Sequence, residues 1–138
     1  MATTLSVGPA QTRGFILSAF ATFSIDDLVD TVGSTLFTLP LGSTIVGGRL
    51  SITTVFSAGT STAIIVGDAT DPNRYIAAGD AETATDDELL GNLLGYAIVA
   101  ADRAITVTYT DTGTAGTVGA GEVLAVYADP NYNTINQE

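Results

Sequence analysis

Between Leu36 and Asp68 the chain reads LFTLPLGSTIVGGRLSITTVFSAGTSTAIIVGD: three apolar, Thr-rich runs separated by Pro40-Leu41-Gly42 and by Ser57-Ala58-Gly59. β-Branched and aromatic residues in short runs, closed off by Gly, Pro and Ser, favour strands. The same texture continues on both sides of this stretch, so the sequence predicts a small all-β unit.

Alternation sharpens the prediction. From Ala104 to Thr110, Ile105, Val107 and Tyr109 fall on one face and Thr106, Thr108 and Thr110 on the other, the pattern of a half-buried strand. Phe15 to Phe23 divides into Phe15, Leu17, Ala19, Ala21 and Phe23 against Ile16, Ser18, Phe20 and Thr22. The acids after it, Asp26, Asp27 and Asp30, suggest a bend or a charge-blocked edge. Ser34–Leu39 is a strand stopped by Pro40, with a turn at Leu39-Pro40-Leu41-Gly42. Ile45–Phe56 follows, with Val46, Leu50, Ile52, Thr54 and Phe56 expected on one face and a bulge at Gly47-Gly48. Thr62–Val66 and Glu122–Ala128 are apolar on both faces, which marks central strands or strands covered by another subunit. Leu93–Ala100 is a further strand, and Asp71-Pro72-Asn73 is turn chemistry. Residues 81–91 form the one helix candidate. Thr85-Asp86-Asp87-Glu88 fits a capping box, with Leu89 and Leu90 next and Gly91 as a stop. About eight strands, one short helix and no βαβ alternation point to an antiparallel sandwich or barrel. The expected organisation is an N-terminal arm (1–13), a β-sandwich (14–129) and a C-terminal tail (130–138).

Length and charge bound the rest. A chain of 138 residues matches one domain and buries roughly 68% of its unfolded surface. Against 15 acidic residues stand 4 basic ones, all Arg and widely spaced, for a net charge of −11. That balance repels nucleic acid and anionic membranes, so neither is an expected partner. The opening MATTLSVGP lacks a basic region followed by an apolar core, so a signal peptide is not expected. No apolar run approaches the ~20 residues of a membrane helix.

The chemistry available is narrow. Without His, Lys or Cys, the usual general base, Schiff-base amine, thiolate and soft metal ligands are missing. Neighbouring carboxylates such as Asp26 and Asp27 diverge on a strand, and Asp86-Asp87-Glu88 are explained by helix capping. Asp68, Asp71 and Asn73 share a loop, but the spacing is not that of an EF-hand, and an Asp/Asn-capped turn accounts for them. No catalytic residue, cofactor or metal site is therefore assigned, and no enzymatic activity is expected. Non-catalytic sugar binding stays open through Tyr96, Tyr127 and Tyr132, although the chain has no Trp platform.

Three segments carry a family resemblance: Leu39-Pro40-Leu41-Gly42-Ser43, Leu50-Ser51-Ile52-Thr53-Thr54-Val55-Phe56, and the run Ile65-Val66-Gly67-Asp68-Ala69-Thr70-Asp71-Pro72-Asn73-Arg74-Tyr75-Ile76. Together they resemble the small jelly-roll decoration (cement) proteins of tailed bacteriophages, over about residues 25 to 128. The resemblance implies a jelly-roll sandwich without catalytic residues. It implies a homo-oligomer, dimer or trimer, made in the host cytoplasm, that sits on the outer capsid surface and clamps major capsid protein subunits. A phage fibre or tail module, or a carbohydrate-binding sandwich, is the alternative. Leu5 and Val7 in the arm and Leu89 and Leu90 beyond the capping box are the candidate interface residues.

Overall fold

The computed structural model describes residues 13–57, 59–80, 87–89 and 98–133. Eight strands run in the order β1 (Arg13–Ser24), β2 (Gly33–Thr38), β3 (Thr44–Thr54), β4 (Ser61–Asp68), β5 (Ile76–Asp80), β6 (Asp87–Leu89), β7 (Ala104–Thr112) and β8 (Ala120–Asn133). They form two antiparallel four-stranded sheets, β1-β8-β3-β6 (sheet one) and β2-β7-β4-β5 (sheet two).

The pairing follows one rule. β4 pairs with β5, β3 with β6, β2 with β7 and β1 with β8, so the chain is one long folded-back ribbon with its tip at residues 69–75. Rolling that ribbon up brings β3 beside β8 and β4 beside β7. This is a jelly roll, two interleaved Greek keys around one core. The expected all-β sandwich of about eight strands is present.

The core lies between the sheets. Leu50, Ile64, Val66, Ile105, Val107, Val123 and Ala125 are fully buried. Phe56 bridges Phe23 and Tyr109, with ring centroids 6.3 and 5.5 Å away. Aromatic pairs at such distances add to the free energy of burial. On β7 the inward Ile105, Val107 and Tyr109 are those that alternation selects. On β1 the odd-numbered face points inward, with Phe23 buried, and the even-numbered face points out.

Local details depart from the sequence reading where a register shift intervenes. On β3 the expected inward set holds for Leu50, Ile52 and Phe56, but Val46 is exposed and Ile45 is buried. The β3–β8 register shifts between Ile45 and Gly47, so the anticipated Gly47-Gly48 bulge reverses the faces on its N-terminal side. A second shift between Ile52 and Thr54 leaves Thr54 exposed.

The helix expected over 81–91 is not what Asp87–Leu89 forms: these residues are β6, paired with Arg49–Ser51 of β3. Tertiary strand pairing outweighs a capping pattern followed by only two leucines. The remaining residues of that segment lie outside the described ones. The described helical turns are 3-10, at Ile25–Asp27 and Ala100–Asp102. Ala100 thus leaves the strand expected over 93–100, of which 93–97 lie outside the described residues. β8 continues past the expected boundary at Asp129, through Pro130 to Asn133. Pro130 falls where the β1–β8 register shifts, at a position that does not require a ladder donor.

The turn at Pro40 forms as expected: Ser43 N–H donates to the Pro40 carbonyl (3.1 Å), and Gly42 takes φ 84°, a conformation without strain only for glycine. Gly67 is required for another reason. The 69–73 tip folds back over it so closely that a Cβ there would overlap the Asp71 carbonyl and Pro72.

Candidate interaction surfaces

Sheet one presents a broad outer face. Alternation along β1 and β8, in register, places Ile16 beside Ala128, Ser18 beside Val126, Phe20 beside Leu124 and Thr22 beside Glu122. β3 continues the rows, with Arg49 opposite Leu124 and Ser51 opposite Glu122. Ile16 is 63% exposed, Phe20 57% and Val46 46%, while Leu124, Val126 and Ala128 are half-buried between them. The one ion pair on this face, among the described residues, joins Arg49 Nη2 to Glu122 Oε1 at 3.7 Å. Leu89 lies at its edge, opposite Arg49. Leu5, Val7 and Leu90 lie outside the described residues.

The outer face of sheet two is different. A groove of about 600 Å³ runs over Thr35, Ile65, Thr106 and Thr108, walled by Ala69 and Pro72 of the ribbon tip. Thr106 and Thr108, expected to point to solvent, do point outward, yet are only 8% and 7% exposed because the groove walls cover them.

At one end of the sandwich, Ile25 N–H donates to the Gly119 carbonyl and Thr31 N–H to the Tyr109 carbonyl, tying the 25–32 segment to the 113–119 loop and to β7. Their meeting point is a pocket of about 470 Å³ that includes Asp26, Asp30, Tyr109 and Asp111. The Tyr109 hydroxyl donates to Asp111 Oδ2 (2.6 Å), and so does Gly116 N–H. Asp111 N–H in turn donates to Asp30 Oδ1 at 2.9 Å. Burial, then the hydrogen bond to the Asp111 carboxylate, push the Tyr109 phenol up to about 12. Nearby, Ser24 donates to Asp27 Oδ2 through both its N–H (2.8 Å) and its hydroxyl (2.9 Å). Those bonds, the backbone one first, hold the Asp27 carboxyl below its usual range.

The other end holds a buried charge cluster. Arg74 donates through Nε to Asp68 Oδ2 and through Nη2 to Asp102 Oδ2 (3.4 Å). The side chains are 8%, 0% and 2% exposed for Arg74, Asp68 and Asp102. Asp68 Oδ1 also accepts the Thr70 and Asp71 N–H groups at 3.0 and 2.9 Å, and Asp71 Oδ1 accepts from Asn73 N–H at 3.4 Å, the Pro-containing, Asp-capped turn expected over Asp68, Asp71 and Asn73. Sequence reasoning weighed Asp68 for a cation and did not pair it with Arg74 or Asp102. The six-residue spacing of Asp68 and Arg74 across a turn was the available signal. Asp102 lies too far along the chain to have been found. Among the described residues, no three His, Cys, Asp or Glu side chains are grouped so as to hold a metal ion.

Three surfaces thus stand out among the described residues: a largely apolar sheet face, a Thr-lined groove and an acidic end. No protein-family model and no curated protein matches the chain. Solved structures do. A chain of the cyanophage Pam1 capsid asymmetric unit aligns with TM-score 0.72 at 18% identity, over 86% of this chain and 87% of that one. A chain from the acidic stable capsid structure of Helicobacter pylori bacteriophage KHP30 aligns with TM-score 0.65 at 16% identity, over 86% of this chain and 91% of that one. At these identities the likeness establishes a shared fold.

Proposed function

We propose that this protein is a structural, non-enzymatic component of a phage virion. In this reading it decorates the outer capsid surface, where it cements neighbouring major capsid protein subunits and stabilises the DNA-filled head. The observation that carries the reading is the jelly roll shared over 86% of the chain with chains from two phage capsids. The side-chain inventory supports it. A clamp needs a rigid body and complementary surfaces, and this chain has a continuous core but lacks His, Lys and Cys. An expanded shell is pushed outward by packed DNA, and each clamp adds buried area across a seam that recurs around the lattice. The net charge of −11 suits the outside of the shell better than a surface lining DNA.

Contacts with the shell are assigned to Leu5 and Val7 of the arm, to Leu89 in β6 at the edge of sheet one, and to Leu90. Cryo-EM of intact particles, with gel quantitation of copy number, tests the proposal. Hundreds of copies on the outer shell are expected. A few copies confined to a tail or fibre would overturn it. Leu5→Asp with Val7→Asp should weaken shell binding and leave the melting temperature of the free protein unchanged. Full binding by that variant would remove the arm from the interface.

A further inference from the structure

We propose that the outer face of sheet one, centred on Phe20, Leu124 and Val126, packs against the same face of a second copy of this chain. The inference concerns the free protein and does not depend on the capsid reading.

Charge distribution singles out this face. Two copies that each carry −11 can approach closely only where their carboxylates are elsewhere. Among the described side chains, Asp26, Asp27, Asp30 and Asp111 occupy one end of the sandwich, and Asp68, Asp71 and Asp102 the other. On the outer face of sheet one Glu122 is the one described carboxylate, and Arg49 of the same face neutralises it. By register Asp87 stands at the β6 edge, opposite Ser51 and away from the centre.

Size and texture agree. β1 has 12 residues in a four-stranded sheet. At ~3.4 Å per residue and ~4.8 Å between strands, the face covers on the order of 700 Å². A specific interface buries ~800 Å² on each partner. Two sheets stack face to face with side chains interdigitating, and a neutral patch rimmed by Ser18, Thr22 and Thr53 provides the apolar centre and polar margin of such a contact. Sheet two does not offer this surface: its outer face is a Thr-lined groove.

Sedimentation equilibrium of the full chain across micromolar concentrations tests the inference. The wild type should reach twice its 14.0 kDa chain mass. Phe20→Asp should weaken association by roughly thirtyfold or more, the size of losing a central aromatic contact. Its circular dichroism should match the wild type, because Phe20 is 57% exposed. Val118→Asp, at a similarly exposed apolar residue in the 113–119 loop at the acidic end and not on the sheet face, should leave the dimer intact. Added salt should preserve or tighten the dimer, because it screens repulsion between the acidic bodies and leaves an apolar contact in place. A monomeric wild type would overturn the inference. So would a dimer that survives Phe20→Asp, which would place the contact at the β1 edge or another surface, and so would a dimer that salt dissociates.

Discussion

Replacing Arg74 by Met would expose how the ribbon tip is held down. In the native protein one guanidinium serves two carboxylates, Asp68 and Asp102, all but excluded from water. Met fills similar volume, so the change removes charge more than packing. It leaves two buried carboxylates without their cation. Breaking a buried pair by removing one partner costs about 3–5 kcal/mol, mostly the penalty of the stranded charge. With an unfolding entropy of about 2.1 cal/mol/K per residue, the 138-residue chain has a total near 0.3 kcal/mol/K, so Tm should fall by roughly 10–17 °C. The triple variant Arg74→Met, Asp68→Asn, Asp102→Asn separates charge from shape. The amide introduced by Asp68→Asn would keep an oxygen for the Thr70 and Asp71 N–H groups. Nothing charged would stay buried in the cluster, so at least half of the lost stability should return. Differential scanning calorimetry at fixed protein concentration reads both variants. A single variant within a few degrees of wild type would refute the reasoning, as would a triple variant no more stable than the single one.

Other perturbations test separate parts of the fold. Tyr109 has its folded pKa raised to about 12 from 10.0, so its contribution to stability is fully present below pH 10 and is lost as pH rises through about 12. Ultraviolet titration should show a late phenol ionisation that loses one tyrosine's amplitude in Tyr109→Phe. At the acid end, the lowered pKa of Asp27 contributes stability above its unfolded value of 3.8 and loses it as pH falls through the folded value. Ser24→Ala should make that part of the stability profile shallower without abolishing it, because the backbone N–H bond to Asp27 remains. Gly67→Ala should destabilise the chain by several kcal/mol in chemical denaturation, because its Cβ has no room beneath the Asp71 carbonyl and Pro72. Phe56→Ala should cost about 3–5 kcal/mol, since it removes the ring between Phe23 and Tyr109. A cost under about 1 kcal/mol would mean that the core collapses around the gap.

For the candidate surfaces, the amount legible in sequence depended on chain distance. The Leu39-Pro40-Leu41-Gly42 turn and the Asp68–Asp71 cap rest on contacts only a few residues long, and both were readable. Period-two alternation separated Ile16 and Phe20 from their odd-numbered neighbours on β1. Alternation alone cannot say which set faces the core, because Leu17 and Phe23 look as apolar as Ile16 and Phe20. Pairing with β8 decides it, and with it the location of the neutral face. At Asp87–Leu89 the helix expected over 81–91 gives way to a strand for a related reason. A capping pattern is local, whereas the partner that makes Asp87–Leu89 a strand is Arg49–Ser51, almost forty positions upstream.

Short β-branched runs, their turn residues and the absence of His, Lys and Cys determined by themselves an all-β body with little catalytic equipment. Those properties belong to single residues and near neighbours, which a linear chain already contains. Tertiary structure decided the nesting of β1 with β8 around β4 with β5, the reversal of faces at the Gly47 bulge, and the meeting of Arg74 with Asp102. Each of these depends on which distant strands close the sheets, and that choice is made by the core as a whole when it packs.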